Sequence, residues 1–194
     1  MDSSSQKGGE KKKINNLKTF PVPFSLIDNQ ANITVVASSS SNDFKEQIIN
    51  QAIDFHLDGN ISEAAKYYQY FINQGFNDHR VFSNYGIILK DLGKSQEAEI
   101  ATRKAIELKP DFANAHCNLG IILKDLGKLQ EAEDALRKAI ELNPNLANSH
   151  SNLGNILRDL GKLQEAEIAT RKAIELQPKF AEAHSNLGNI LREL

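Results

Sequence analysis

Four glycines, Gly86, Gly120, Gly154 and Gly188, stand at intervals of 34 residues, and a chain that repeats itself at such an interval folds as a stack of like units. The interval also joins Gly93, Gly127 and Gly161, then Ala98, Ala132 and Ala166, then Ala105, Ala139 and Ala173, and finally Pro110, Pro144 and Pro178. Agreement among several independent positions leaves little room for coincidence.

Each unit reads as two helices. From Ala113 to Leu126, apolar residues fall at Leu119, Ile122, Leu123 and Leu126, which places them on one helical stripe. Gly127 then supplies the left-handed residue that commonly ends a helix. A second helix starts near Gln130 and turns Ala132, Leu136, Ala139 and Ile140 inward. Pro144 follows its end, where it stops the helix without breaking it. Gly120, Ala132 and Ala139 are expected where helix axes must approach to about 8–10 Å. Glu99–Arg103, Glu133–Arg137 and Glu167–Arg171 are spaced as pairs one turn apart, expected on a solvated face at about 0.2–0.5 kcal/mol each.

The segments from Asn118 to Pro144 and from Asn152 to Pro178 resemble tetratricopeptide repeats in their small–small–Pro signature, here Gly120, Ala132, Ala139 and Pro144. Within that family they are most similar to the arms of O-GlcNAc transferases and to repeat proteins of marine cyanobacteria. The resemblance implies an all-α, right-handed superhelical solenoid of antiparallel helix pairs over residues 45–194. It also implies a non-catalytic scaffold for protein partners. The chain departs from the family at His116, His150 and His184, where a bulky residue such as Trp is usual, and at Thr102 and Thr170 in the second helices. Lighter packing is expected there.

The divisions follow from the period: a diverged cap over 45–78, repeats over 79–112, 113–146 and 147–180, and an incomplete unit over 181–194. The cap keeps Gly59 and Ala64 but has Phe71 for Ala and Phe76 for Pro. Residues 1–44 lack periodicity and are expected to be a disordered or extended tail, with Phe20 to Ile27 as an apolar, proline-broken stretch. At the other end Leu187, Ile190, Leu191 and Leu194 are expected to form an uncovered apolar stripe. A fragment, a truncated gene and a homodimer through this edge all remain open explanations.

Composition excludes several classes. Lys+Arg 23 against Asp+Glu 25 gives a formal charge of -2, without the basic excess that phosphate binding requires. The single cysteine, Cys117, admits neither an internal disulfide nor a zinc cluster. No apolar run approaches the roughly 18 residues of a membrane span, and no signal-peptide core follows the N-terminal lysines. These features point to the cytoplasm. No arrangement of catalytic residues stands out from the repeat pattern, so neither an active site nor a cofactor is expected. His116, His150 and His184 belong to successive repeats, on the order of 20 Å apart in all, too far to share a metal ion. Gly93-Lys94-Ser95 imitates a phosphate loop but lacks its upstream glycine, since Ile88 stands there.

The resemblance places partner peptides in a concave groove lined by the first helices. Mapped onto this sequence, the groove carries the row Asn84, Asn118, Asn152 and Asn186, with Asn155 and Asn189 continuing a row begun by Ile87 and Ile121. Lys90, Lys124, Arg158 and Arg192 form a basic row beside Asp91, Asp125, Asp159 and Glu193. An amide donates and accepts, so an asparagine ladder can grip a peptide backbone with little side-chain preference; it can equally serve neighbouring groups of its own protein. The carboxylate clamp of chaperone co-factors needs Lys at the positions of Ser83, Cys117, Ser151 and Ser185, and is not expected. Two functions remain in view: a peptide-binding scaffold, and the substrate-recruiting arm of a larger transferase of glycosyltransferase type.

Overall fold

The computed structural model describes residues 17–21, 32–36 and 41–194, with side chains from Asn42 onward. Leu17–Pro21 (β1) and Asn32–Val36 (β2) form an antiparallel pair, Leu17 opposite Val36 and Pro21 opposite Asn32. Those ten residues of the expected tail are therefore extended, and the β-branched run Ile33, Thr34, Val35 and Val36 suits a strand. The remainder of the tail lies outside the described residues.

From residue 41 the chain is helical: α1 (Ser41–Leu57), α2 (Ile61–Asn73), α3 (His79–Asp91), α4 (Ser95–Leu108), α5 (Ala113–Asp125), α6 (Leu129–Leu142), α7 (Ala147–Asp159), α8 (Leu163–Leu176) and α9 (Ala181–Glu193). The first helix begins ahead of residue 45, where the cap was expected to start. Helices associate as antiparallel pairs, α1 with α2, α3 with α4, α5 with α6 and α7 with α8, and α9 joins the end of the stack. The tetratricopeptide solenoid expected from the period is the architecture observed.

Within a pair, the turn is fixed by a left-handed glycine. Gly127 has φ 73°; its N–H bonds the Lys124 carbonyl at 2.8 Å and the Lys128 N–H bonds the Leu123 carbonyl at 2.9 Å. This double bond satisfies carbonyls that the helix end would otherwise orphan. The helices then close on Gly120, where an added β-carbon would lie 2.5 Å from Leu136 Cγ. Ala132, Leu136 and Ala139 are fully buried beneath it, with Ile122 and Leu123 from the facing helix.

The core falls into clusters that change character along the stack. At the cap it is aromatic, with Tyr68, Phe71, Ile48 and Ile49 buried and Phe71 set edge-on to Phe76 at 5.2 Å. Further along it becomes aliphatic, around Leu119, Leu123, Leu153, Ile156 and Leu157. Arg80 joins cap to repeat: its guanidinium holds Asp78, which N-caps α3, and reaches Glu46 at 2.7 Å. At the far end one expectation needs correction. Ile190 is fully buried against the preceding repeat and Leu187 is half-buried, so only Leu191 and Leu194 of the expected stripe are strongly exposed. The preceding helix pair covers one side of α9, and the i, i+3 spacing that put Ile190 on the stripe also turns it toward that side.

Candidate functional site

Successive first helices touch, α3 to α5, α5 to α7 and α7 to α9. Elements that approach on one side bend a stack toward that side, so these helices line the inner face. On each, Asn at the sixth position, its i+3 residue and the pair at i+6 and i+7 share one helical face. The residues named as candidate groove rows thus share one side of each of these helices.

The asparagine row is tied along its length. Asn118 Nδ2 donates to Ser83 Oγ at 3.0 Å, Asn152 Nδ2 to Cys117 Sγ at 3.7 Å, and Asn186 Nδ2 to Ser151 Oγ at 3.3 Å. Asn84 Nδ2 donates to Tyr68 Oη in the cap at 3.2 Å. Each bond crosses from one repeat to the preceding one. One N–H of each amide is thus engaged between repeats, while no protein donor is bonded to the Oδ1 of Asn118, Asn152 or Asn186 among the described residues. Asn155 is half-buried and makes no side-chain hydrogen bond among the described residues. Asn189 Oδ1 accepts from Arg192 Nη2 at 2.6 Å.

Three of the four basic-row residues are paired with carboxylates, and Arg192 bonds only the Asn189 amide among the described residues. Lys90 pairs with Asp91 at 2.9 Å, Lys124 reaches Asp159 in the next repeat at 3.2 Å, and Arg158 pairs with Asp159 at 3.0 Å and Glu193 at 4.0 Å. Cys117 is buried, and burial pushes its thiol above the ordinary value, against the hydrogen bond from Asn152. The three histidines lie on the other side of the first helices. His116 Nε2 meets the Pro110 carbonyl, His150 the Pro144 carbonyl and His184 the Pro178 carbonyl, each at 2.9 Å. They clasp the turns between repeats.

The outer face carries two features that the sequence reading missed. Clefts of about 580 and 610 Å³ lie between successive second helices, the first over Leu119 and Leu123 and the second over Leu153 and Leu157. The Glu–Arg pairs also extend between repeats: Glu133 bonds Arg137 at 2.9 Å and Lys162 at 2.8 Å, and Arg137 reaches Glu165 at 2.8 Å. Glu133 is only 3% exposed, so it is not the surface decoration that its spacing suggested. The 34-residue period held the signal, because Lys128 meets Glu99 in the same way at 2.8 Å one repeat earlier.

Comparison with known proteins gives three family matches, all to tetratricopeptide-repeat models, at residues 79–112, 113–146 and 147–180. No curated protein matches the chain. Among solved structures, MamA is 25% identical with a TM-score of 0.63, the likeness covering 73% of this chain and 82% of MamA. The O-GlcNAc transferase of Thermobaculum terrenum is 28% identical with a TM-score of 0.56, over 58% of this chain and 22% of the transferase. The first repeat domain of Spaghetti, solved with an HSP90 peptide, is 26% identical with a TM-score of 0.57, over 59% and 90%.

Proposed function

The chain belongs to the tetratricopeptide-repeat family, and from that premise we propose that it is a non-catalytic scaffold whose inner face binds an extended peptide segment of another protein. The observation that carries this reading is the amide row. Asn118, Asn152 and Asn186 are each anchored through Nδ2, which fixes the side chain and leaves Oδ1 as an acceptor. Pre-positioned acceptors at intervals of one repeat suit the N–H groups of an extended backbone, and their anchoring removes part of the entropy cost of binding. The likeness to a repeat domain solved with a peptide supports the same reading.

Selection of binders from a phage-displayed random peptide library tests it. Selected peptides should lose affinity for Asn155→Ala, which breaks no internal bond, and keep it for Ile168→Glu on the outer face, where Ile168 is 70% exposed. Binders that tolerate Asn155→Ala and are lost with Ile168→Glu would transfer the activity to the outer face. A second reading, the recruiting arm of a larger transferase, is supported by the likeness to the Thermobaculum terrenum enzyme. Sequencing the source gene in frame beyond Leu194 distinguishes the two: a catalytic domain favours the arm, and an immediate stop removes it.

A further inference from the structure

One groove row changes its chemistry midway. Ile87 and Ile121 occupy in α3 and α5 the position that Asn155 and Asn189 occupy in α7 and α9. All four are half-buried. The neighbouring rows do not change in this way: the sixth position is Asn throughout, and the basic row stays Lys or Arg. Resting on the groove reading above, we propose that the inner face is divided along its length and selects an extended, uncharged peptide with aliphatic side chains over α3 and α5 and amide or hydroxyl side chains over α7 and α9.

Three observations fix this partner. Over the first half, Ile87 and Ile121 present apolar surface, and an aliphatic side chain laid on them removes water from both partners. Over the second half, among the described residues, the Asn155 side chain has no hydrogen-bond partner and that of Asn189 has only its oxygen engaged. An apolar side chain there would strip water from those amides without replacing its hydrogen bonds, whereas an amide or hydroxyl would satisfy them. Most flanking charges are paired, through Lys90–Asp91, Lys124–Asp159 and Arg158–Asp159, and the two in no ion pair among the described residues, Asp125 and Arg192, are of opposite sign. They offer little net attraction to a charged peptide.

The geometry also sets the spacing. Packed first helices lie roughly 8–10 Å apart, and a polyproline-II chain rises about 3.1 Å per residue with three residues per turn. Three residues therefore span one repeat and return a side chain to the same face. Contacts fall at every third residue of the peptide, in the order aliphatic, aliphatic, polar, polar.

The test uses the full chain and fluorescein-labelled peptides of about twelve residues, with the contact positions at every third residue. One peptide carries Leu, Leu, Gln, Gln at those positions; the others carry four Leu, four Gln, or Leu, Leu, Glu, Glu. Fluorescence anisotropy should rank the mixed Leu–Gln peptide tightest, by about tenfold over the four-Gln peptide. Ile87→Asn with Ile121→Asn should abolish that preference, and Asn155→Ile with Asn189→Ile should move it to the four-Leu peptide. Either variant alone suffices if the other fails to fold. Equal affinity for all four peptides would overturn the division while leaving the groove reading in place. Binding of none of them would overturn both.

Discussion

Gly154 backs onto Thr170 so closely that a β-carbon added to the glycine would collide with the threonine Oγ1, which donates to the Ala166 carbonyl at 2.8 Å. Ala166 O itself would lie 3.2 Å from that carbon, and Thr170 is fully buried. A β-branched side chain has few rotamers to move into, and a backbone carbonyl has none. Gly188 occupies the same place one repeat later, yet a β-carbon there meets nothing within 4 Å. Replacing an interior helical glycine by alanine gains about 1 kcal/mol from backbone entropy alone. Gly188→Ala should therefore raise thermal stability, while Gly154→Ala should lower it by about 1–3 kcal/mol through overpacking. Calorimetry of the two variants checks the contrast, and equal melting temperatures would refute it.

How much of this was legible in the sequence depends on the range of each contact. The period gave the helix pairs, the glycine turns and the buried Ala132, Ala139 and Leu136, because these are local patterns repeated in register. The resemblance named the candidate groove row, yet it left open whether Asn118 serves a ligand or a neighbour. The bond to Ser83 shows that one N–H serves the neighbour. That bond spans 35 residues, beyond any helical spacing rule, although the period contains it once one asks which residues recur together. Burial of Glu133 was missed for the same reason: a spacing of four residues locates a pair on a helix but says nothing of the next helix that covers it. The β1–β2 pair escaped because five-residue strands carry no sustained period.

Cys117 occupies a place held by serine in the neighbouring repeats, Ser83 and Ser151. It is 5% exposed, and burial pushes its thiol above the ordinary 9.0, so little thiolate exists at neutral pH. Alkylation by iodoacetamide should proceed only as fast as the repeat opens, and should accelerate sharply in denaturant. Cys117→Ser should be tolerated to within about 0.5 kcal/mol, since an oxygen replaces a weak sulfur acceptor for Asn152. Rapid alkylation of the native chain would contradict this placement.

His150 and His184 make the same bond to a proline carbonyl at 2.9 Å, but His150 is buried and His184 is exposed. His150→Ala should therefore cost about 2 kcal/mol, because removing a buried ring leaves a cavity, whereas His184→Ala should cost roughly 0.5 kcal/mol, the loss of one solvated hydrogen bond. Urea unfolding of both variants measures the difference, and equal costs would refute it.

Glu133 offers a pH signature. Burial pushes its carboxyl up, but hydrogen bonds from Lys162 and Arg137 outweigh that and hold it below the ordinary 4.5. In the unfolded chain the group takes up its proton near 4.5, and in the folded chain only at lower pH. Between those values the unfolded state binds more protons, so stability falls as the solution is acidified. The contribution is fully present above the unfolded value and is lost as pH drops through the folded one. Glu133→Gln removes this charge but keeps much of the shape. The variant should be less stable than the parent at pH 7 by about 1–2 kcal/mol, more than an isolated pair one turn apart provides, because two cations from successive repeats lose a buried partner. Once the pH has fallen through the folded value, below 4.5, the two melting curves should converge, since protonation then does to the parent what the substitution has already done. A constant gap across that range would mean that the carboxylate charge contributes nothing to holding the repeats together.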